Sequence, residues 1–235
     1  MGEFVTVSAF RTEAASEVLE AVRGFFAVHR WRVDRIEDGG PPTEDDIAIC
    51  TPAGGWTVVM WPAYFTDLPA VEHVSRDLGV LASTVRIHDG DYWSHALLRD
   101  GVILDRFASM PDYFTDDPAE IARLTAKYAG RPAAVAEAVG VPVEQIAPYL
   151  VHAAAEEDDG RDFYYPMDYA NMEPVKAFPD DEFELGLAWV FVDFWRRLGI
   201  SYPDAASGTP NAAYALRLRL APGWLGRLPG ADVEL

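Results

Sequence analysis

Apolar and polar positions along the first 110 residues switch between a period near two and a period near 3.6, the signatures of strand and helix. Phe4–Phe10, with β-branched Val5 and Val7, reads as a strand. Glu13–His29 carries Val18, Leu19, Val22, Phe25 and Phe26 near helical spacing, and Thr12 stands where an N-cap would. Trp31–Ile36 and Asp46–Thr51 are strands on either side of the turn-rich Gly39–Pro42, and Gly54-Gly55 turns the chain into a further strand, Trp56–Trp61. Leu68–Leu78 is a helix stopped by Gly79. Ser83–His88, Tyr92–Leu98 and Val102–Ala108 form a meander whose turns are Asp89-Gly90 and Asp100-Gly101, the strongest hairpin signals in the chain.

The order is thus βαββ followed by βαβββ. It predicts an α+β fold: a mainly antiparallel sheet built from two βα-plus-hairpin halves, with helices on one face. Beyond residue 110 the pattern turns helical. Asp117, Pro118 and Glu120 supply an N-cap, an N1 proline and an N3 acid, and that helix ends by Gly130. A second helix spans Pro132–Val139 and stops at Gly140. A third starts near Val143 and should break at Pro148. Asp181–Leu198 reads as a buried helix, apolar nearly all round, with acids at its start and Arg196 and Arg197 at its end. Tyr214–Leu220 alternates Tyr214, Leu216, Leu218 and Leu220 with Arg217 and Arg219, a half-buried strand. Residues 1–110 are therefore expected to form a sheet domain. Residues 111–235 are expected to be a helical extension that returns to a strand and packs on the first part as one unit.

Charge changes this picture. The formal net charge is −19, which argues against nucleic acid or an anionic membrane as a partner, because both require clustered Lys and Arg. Nine of those net negative charges lie in residues 156–184, which hold eleven acids and two bases. Aromatic residues are interleaved with the acids. Glu156, Glu157, Asp158, Asp159 and Asp162 with Tyr164, Tyr165 and Tyr169 form an acidic–aromatic belt suited to a basic protein partner. Arg217 and Arg219 could bind an anionic ligand or pair with the acidic stretch in cis, and the second is expected.

Cys50 is the only cysteine, so no internal disulfide forms. The N-terminus shows no signal peptide and no stretch is long and apolar enough to span a bilayer, so cytoplasmic residence is expected. Seventeen Arg against two Lys, with much Ala, Gly and Pro, is the composition of a GC-rich bacterial genome. His88, Asp89, Asp91 and His95 are metal-ligand types, but His95 lies about four residues further along its strand, over ~10 Å from the hairpin turn. Gly160 at the sixth place of a calcium loop would put Ala155 and Pro166 where acids are required. Residues 132–150 resemble a helix-turn-helix, which would imply a second helix reading the major groove. That helix carries Glu144, Gln145 and Pro148 and no Arg or Lys, so plain helix packing is expected. Asp193, set between Val192 and Phe194, needs a partner if buried, and Arg196 and Arg197 are the candidates. No phosphate loop, nucleophile elbow or metalloprotease motif occurs.

No metal, cofactor or catalytic residue is assigned. The expected function is a non-enzymatic interaction protein that masks a basic partner, as an immunity protein or antitoxin would. The alternative is a small-molecule binder or enzyme with a pocket between sheet and helix lined by Trp56, Trp61, Trp93, Trp189 and Trp195.

Overall fold

The computed structural model of the chain describes residues 3–36, 43, 45–62, 65–152, 167–168, 173–203 and 212–220. Its elements are β1 (Val5–Phe10), α1 (Ala15–Val28), β2 (Trp31–Arg35), β3 (Asp46–Cys50), β4 (Thr57–Met60), α2 (Leu68–Leu78), β5 (Leu81–His88), β6 (Tyr92–Arg99) and β7 (Val102–Ala108). There follow α3 (Pro118–Lys127), α4 (Pro132–Val139), the two-residue strands β8 (Met167–Asp168) and β9 (Glu173–Pro174), α5 (Phe191–Arg197) and β10 (Ala212–Leu220). The large strands form one eight-stranded antiparallel sheet in the order β2-β10-β3-β4-β1-β5-β6-β7, and β8 pairs with β9. The fold is α+β, as the pattern predicts.

The chain divides into two compact units. One comprises Phe4–Arg86, Leu97–Ile103 and Ile200–Leu235. Its centre is β3, β4 and β1, where Val7, Ala9, Ile47, Ile49 and Val59 are fully buried, as are Val18, Val22 and Phe26 of α1. α1 packs beside α2, which contributes Ala70, Val71 and Val74 to the same core. β10 enters between β2 and β3. Its Leu216 faces Arg35 on one side and Ile47 on the other. The two strands that flank Gly39–Pro42 are thus neighbours of β10 and not of each other. Arg217 lies across from Asp46 in this register and donates two hydrogen bonds to its carboxylate, at 2.8 and 3.0 Å. That contact, opposing the cost of burial, holds the Asp46 carboxyl down at about 2. Arg219 pairs with Asp34 at 3.2 Å.

The Asp100-Gly101 turn adopts the conformation its sequence demands, with φ of 52° and 74°. Gly101 also meets α2 closely: a Cβ there would stand 2.7 Å from the Glu72 carbonyl oxygen and 2.7 Å from Arg76 Cβ. Its N–H donates to Ser75 Oγ at 3.1 Å. Gly101→Ala therefore combines a left-handed backbone with a clash against helix backbone. It is expected to lower stability by about 2–3 kcal/mol in urea titration, whereas a variant within about 0.5 kcal/mol of the parent would show that α2 yields freely.

The other unit comprises Met1–Glu3, Ile87–Ala96 and Leu104–Gly199. Phe191, Phe194 and Trp195 of α5 are fully buried, and the Phe194 ring lies 5.5 Å from Trp93 and 4.9 Å from His95. α3 begins as expected: the Asp117 carboxylate accepts from Ala119 N–H at 2.8 Å, and Pro118 opens the helix. α4 runs Pro132–Val139 and ends at Gly140 in the left-handed conformation. Residues 128–130 follow the outer edge of β7, with hydrogen bonds from Ala108 N–H to Tyr128 O and from Gly130 N–H to Arg106 O, so this edge is covered.

Three helical expectations change. Thr12 does not cap α1 from the N-cap place, which Ala14 occupies; its hydroxyl oxygen accepts the Ala14 N–H instead. After α4, residues Val143–Gln145 and Ala147–Tyr149 make two short 3-10 turns and no α-helix, because Pro148 removes a donor and restricts Ala147. Asp181–Leu198 is not one helix. A 3-10 turn at Ala188–Val190 leads into α5, and residues 181–187 are irregular: the N–H groups of Glu182 and Phe183 donate to the Asp193 carboxylate and that of Leu185 to the Val175 carbonyl.

Candidate interaction site

The belt residues Glu156, Glu157, Asp158, Asp159, Asp162, Tyr164, Tyr165 and Tyr169 all lie outside the described residues. What the structure shows is how the chain on either side of them is held. Before the belt, Tyr149 is buried and the ring of His152 reaches the Tyr128 carbonyl at 3.1 Å. After it, the Lys176 ammonium donates to the Asp181 carbonyl at 2.8 Å.

These two flanks meet at Asp181. Its carboxylate is shielded from solvent and accepts from the Tyr149 hydroxyl, 2.8 Å from either oxygen. It also accepts from Arg197 at 2.7 Å, from Arg196 at 3.0 Å and from the Phe178 N–H at 2.9 Å. Burial, joined by the neighbouring Asp181 charge, pushes the Tyr149 phenol above its ordinary range, so it remains a donor. A chain segment 32 residues long thus leaves and returns at one hydrogen-bonded point. Arg197 additionally lies over the Phe178 ring, 4.3 Å from its centre.

Asp193 is buried, and its Oδ2 accepts the N–H groups of Glu182 and Phe183 at 2.9 and 2.7 Å. Its other oxygen pairs with Arg196 at 3.0 Å. Of the two arginines expected to serve it, Arg196 does, while Arg197 is directed to Asp180 and Asp181. Asp180 and Asp181 are therefore committed within the chain, although both belong to the acid-rich stretch. Every group around Asp181 and Asp193 has a hydrogen-bonding role in holding this segment, and the arrangement is a clamp.

The remaining candidates separate. His88 and His95 do not share a site. His88 packs among Tyr92, Tyr113 and Phe114 at the β5–β6 turn, whereas His95 is buried against Phe194, where burial pushes its ring down to about 3 and keeps it neutral. Among the described residues no group of three or more His, Cys, Asp or Glu side chains could hold a metal ion. Cys50 is buried on β3, and burial raises its thiol to about 11, so thiolate is scarce at neutral pH. Trp56, Trp61, Trp93 and Trp195 fill the cores of their units, and the Trp189 indole donates to Glu3 at 2.8 Å.

A feature outside the sequence expectations is an aromatic cluster at the β5–β6 turn. The rings of His88, Tyr92, Tyr113 and Phe114 all lie within 4.9–5.8 Å of one another. The Tyr113 hydroxyl donates to Asp91 at 3.1 Å, and Phe114 is 50% exposed. The available signal was the run Asp112-Tyr113-Phe114 followed by Asp116-Asp117: an aromatic pair in an acid-only loop. No family model, curated protein or solved structure matches the chain. No helix among the described residues is long and apolar enough to cross a membrane.

Proposed function

We propose that the chain is a non-enzymatic interaction protein of the cytoplasm that masks a basic protein partner, in the manner of an immunity protein or antitoxin. The observation that supports this best concerns Arg217 and Arg219, the bases that would have neutralised the acidic belt in cis. They are committed elsewhere, Arg217 to Asp46 and Arg219 to Asp34. Among the described residues, the carboxylates that Arg196 and Arg197 pair with are those of Asp180, Asp181 and Asp193 at the clamp. On this reading the acids Glu156–Asp159 and Asp162 supply the charge that would steer a basic surface.

The test is capture of partners by the tagged protein from lysate of its own host at low and high salt. One stoichiometric basic partner, released at high salt, is expected. Replacing Glu156, Glu157, Asp158 and Asp159 by Ser should then slow association about tenfold or more at low salt and change dissociation little. Unchanged association kinetics would remove the belt from the function.

A further inference from the structure

The aromatic cluster at the β5–β6 turn is built and held in place before any partner arrives. Asp89 and Gly90 adopt φ of 57° and 80°, and the Gly90 N–H donates to the Glu3 carbonyl at 2.9 Å, which pins the turn. The loop after β7 is folded by hydrogen bonds from Tyr113 N–H to Met110 O and from Thr115 N–H to Asp112 O. It lays Phe114 edge-on against His88 at 5.0 Å, Tyr113 at 4.9 Å and Tyr92 at 5.8 Å. Tyr92 is buried beneath, but half of Phe114 stays bare. A large aromatic side chain left half exposed on a rigid support is the form that interface anchors take.

The chain next to that ring is rich in acids, with Arg86, Arg99, Arg106 and Arg123 bounding two stretches that hold no base. Residues 87–98 and 107–122 contain six acids, Asp89, Asp91, Asp112, Asp116, Asp117 and Glu120, and no Lys or Arg. Three of the six are engaged locally: Asp91 accepts from the Tyr113 hydroxyl, Asp117 caps α3 and Glu120 pairs with Arg123. Burial first, and then the carboxylates of Asp91 and Asp89, push the Tyr113 phenol up to about 12. A bare ring face in a negative field favours a cation that can also lie flat on it. Arginine fits better than lysine, because its guanidinium is planar, weakly hydrated and able to offer hydrogen bonds to carboxylates while stacked.

We propose that this face receives an arginine side chain of a basic protein, with the guanidinium stacked on Phe114 and its N–H groups directed to the surrounding aspartates. The proposal rests on the reading that the partner is basic, and it adds a second contact surface, separate in sequence from the belt.

The test titrates a labelled nona-arginine peptide, and its citrulline counterpart, against the wild type, Phe114→Leu and Phe114→Ala. Both variants keep every charge, and Phe114→Leu keeps apolar volume, so simple attraction between a −19 protein and a cationic peptide is unchanged. Expected is a loss of about threefold or more in nona-arginine affinity for both variants at an unaltered melting temperature, with no difference toward the citrulline peptide. Equal affinity in all three proteins would overturn the proposal. The parent reading is decided separately by capture from lysate. Capture lost in the Glu156–Asp159 variant but kept by Phe114→Leu sinks this face and spares the belt. Capture lost in Phe114→Leu supports this face, and if the Glu156–Asp159 variant still captures, the belt falls and the Phe114 face stands.

Discussion

Asp181→Ala is expected to destabilise the protein by about 3 kcal/mol, at the low end of what breaking a buried ion pair costs, because Arg196 is half exposed and water can replace part of what it loses. The carboxylate is the common acceptor for Tyr149, Arg196, Arg197 and the Phe178 N–H. Its removal leaves the Arg197 guanidinium with Asp180, which is largely solvent-exposed, and leaves the Tyr149 hydroxyl beside a cation with no acceptor for its proton. Tyr149→Phe, which deletes one hydrogen bond and no charge, should cost only about 1 kcal/mol. Because these groups share one acceptor, Asp181→Ala combined with Arg197→Met should cost less than the sum of the two single changes. Urea unfolding of the wild type, the three single variants and the double variant reads all of this. Strict additivity would mean that Asp181 and Arg197 act independently and that the clamp is not a unit.

The same variant separates two ways of weakening a partner. Asp181→Ala leaves the charges of residues 156–162 untouched, so association steered by them should persist. It releases the point where the chain leaves and returns, so the ordering cost moves to the bound state and dissociation should quicken. The Glu156–Asp159 replacement should do the reverse, slowing association and sparing dissociation. A clamp variant that slowed association would show that belt geometry, and not only its charge, governs encounter.

What could be read from the sequence follows the range of the interactions involved. Turns and caps are set within a few residues, so Asp89-Gly90, Asp100-Gly101 and the Asp117-Pro118-Glu120 start of α3 were legible, as was the alternation of Tyr214–Leu220. The placement of β10 between β2 and β3 was not, since it depends on Arg217 meeting Asp46, 171 positions away. The apolar spacing of residues 181–187 matches a helix, whereas their N–H groups are directed to acceptors far along the chain, Glu182 and Phe183 to the Asp193 carboxylate and Leu185 to the Val175 carbonyl. Part of the site was visible as composition, the acid-rich stretch with its tyrosines. The Phe114 face was hidden because its four rings come from a hairpin and from a loop some twenty residues later, and nothing local announces that they meet.

A polar cluster inside the sheet gives the second large effect. Asp67 precedes α2, but its side chain turns inward, fully buried, and its Oδ2 lies 3.1 Å from Ser8 Oγ and in contact with the Thr84 hydroxyl. Ser8 Oγ accepts from the Trp61 indole at 2.7 Å and lies 2.7 Å from Thr84 Oγ1, which is 3.1 Å from the Val7 carbonyl. Two hydroxyl protons cannot serve an ionised Asp67 and the Val7 carbonyl as well as a protonated Asp67 can. With the carboxyl neutral, Asp67 donates to Thr84, Thr84 donates to Val7, and Ser8 donates to Thr84. Among the described residues the Asp67 Oδ1 has no hydrogen-bond partner, a modest loss for a neutral carbonyl oxygen and a severe one for a carboxylate. Burial raises the Asp67 carboxyl above the ordinary range, against the opposing charge of Arg86.

The sign of the pH dependence follows. An unfolded Asp ionises near pH 4, and the folded one holds its proton to higher pH. Between those two points folding takes up a proton, so stability falls as pH rises, by at most about 1.4 kcal/mol per pH unit, until the folded carboxyl ionises too. Asp67→Asn keeps the shape and the donors and cannot ionise. Urea midpoints from pH 5 to 9 should show the variant gaining on the wild type as pH rises. His95 contributes the opposite slope, since its ring is held down to about 3 and the stability tied to its neutral form is lost as pH falls below its unfolded value near 6.5. That contribution is common to both proteins and cancels in the difference between them. Parallel curves would mean that Asp67 is ionised in the folded chain, and the hydrogen-bond order of the cluster would have to run the other way, with Ser8 and Thr84 both donating to Oδ2 and the Val7 carbonyl giving up its hydroxyl.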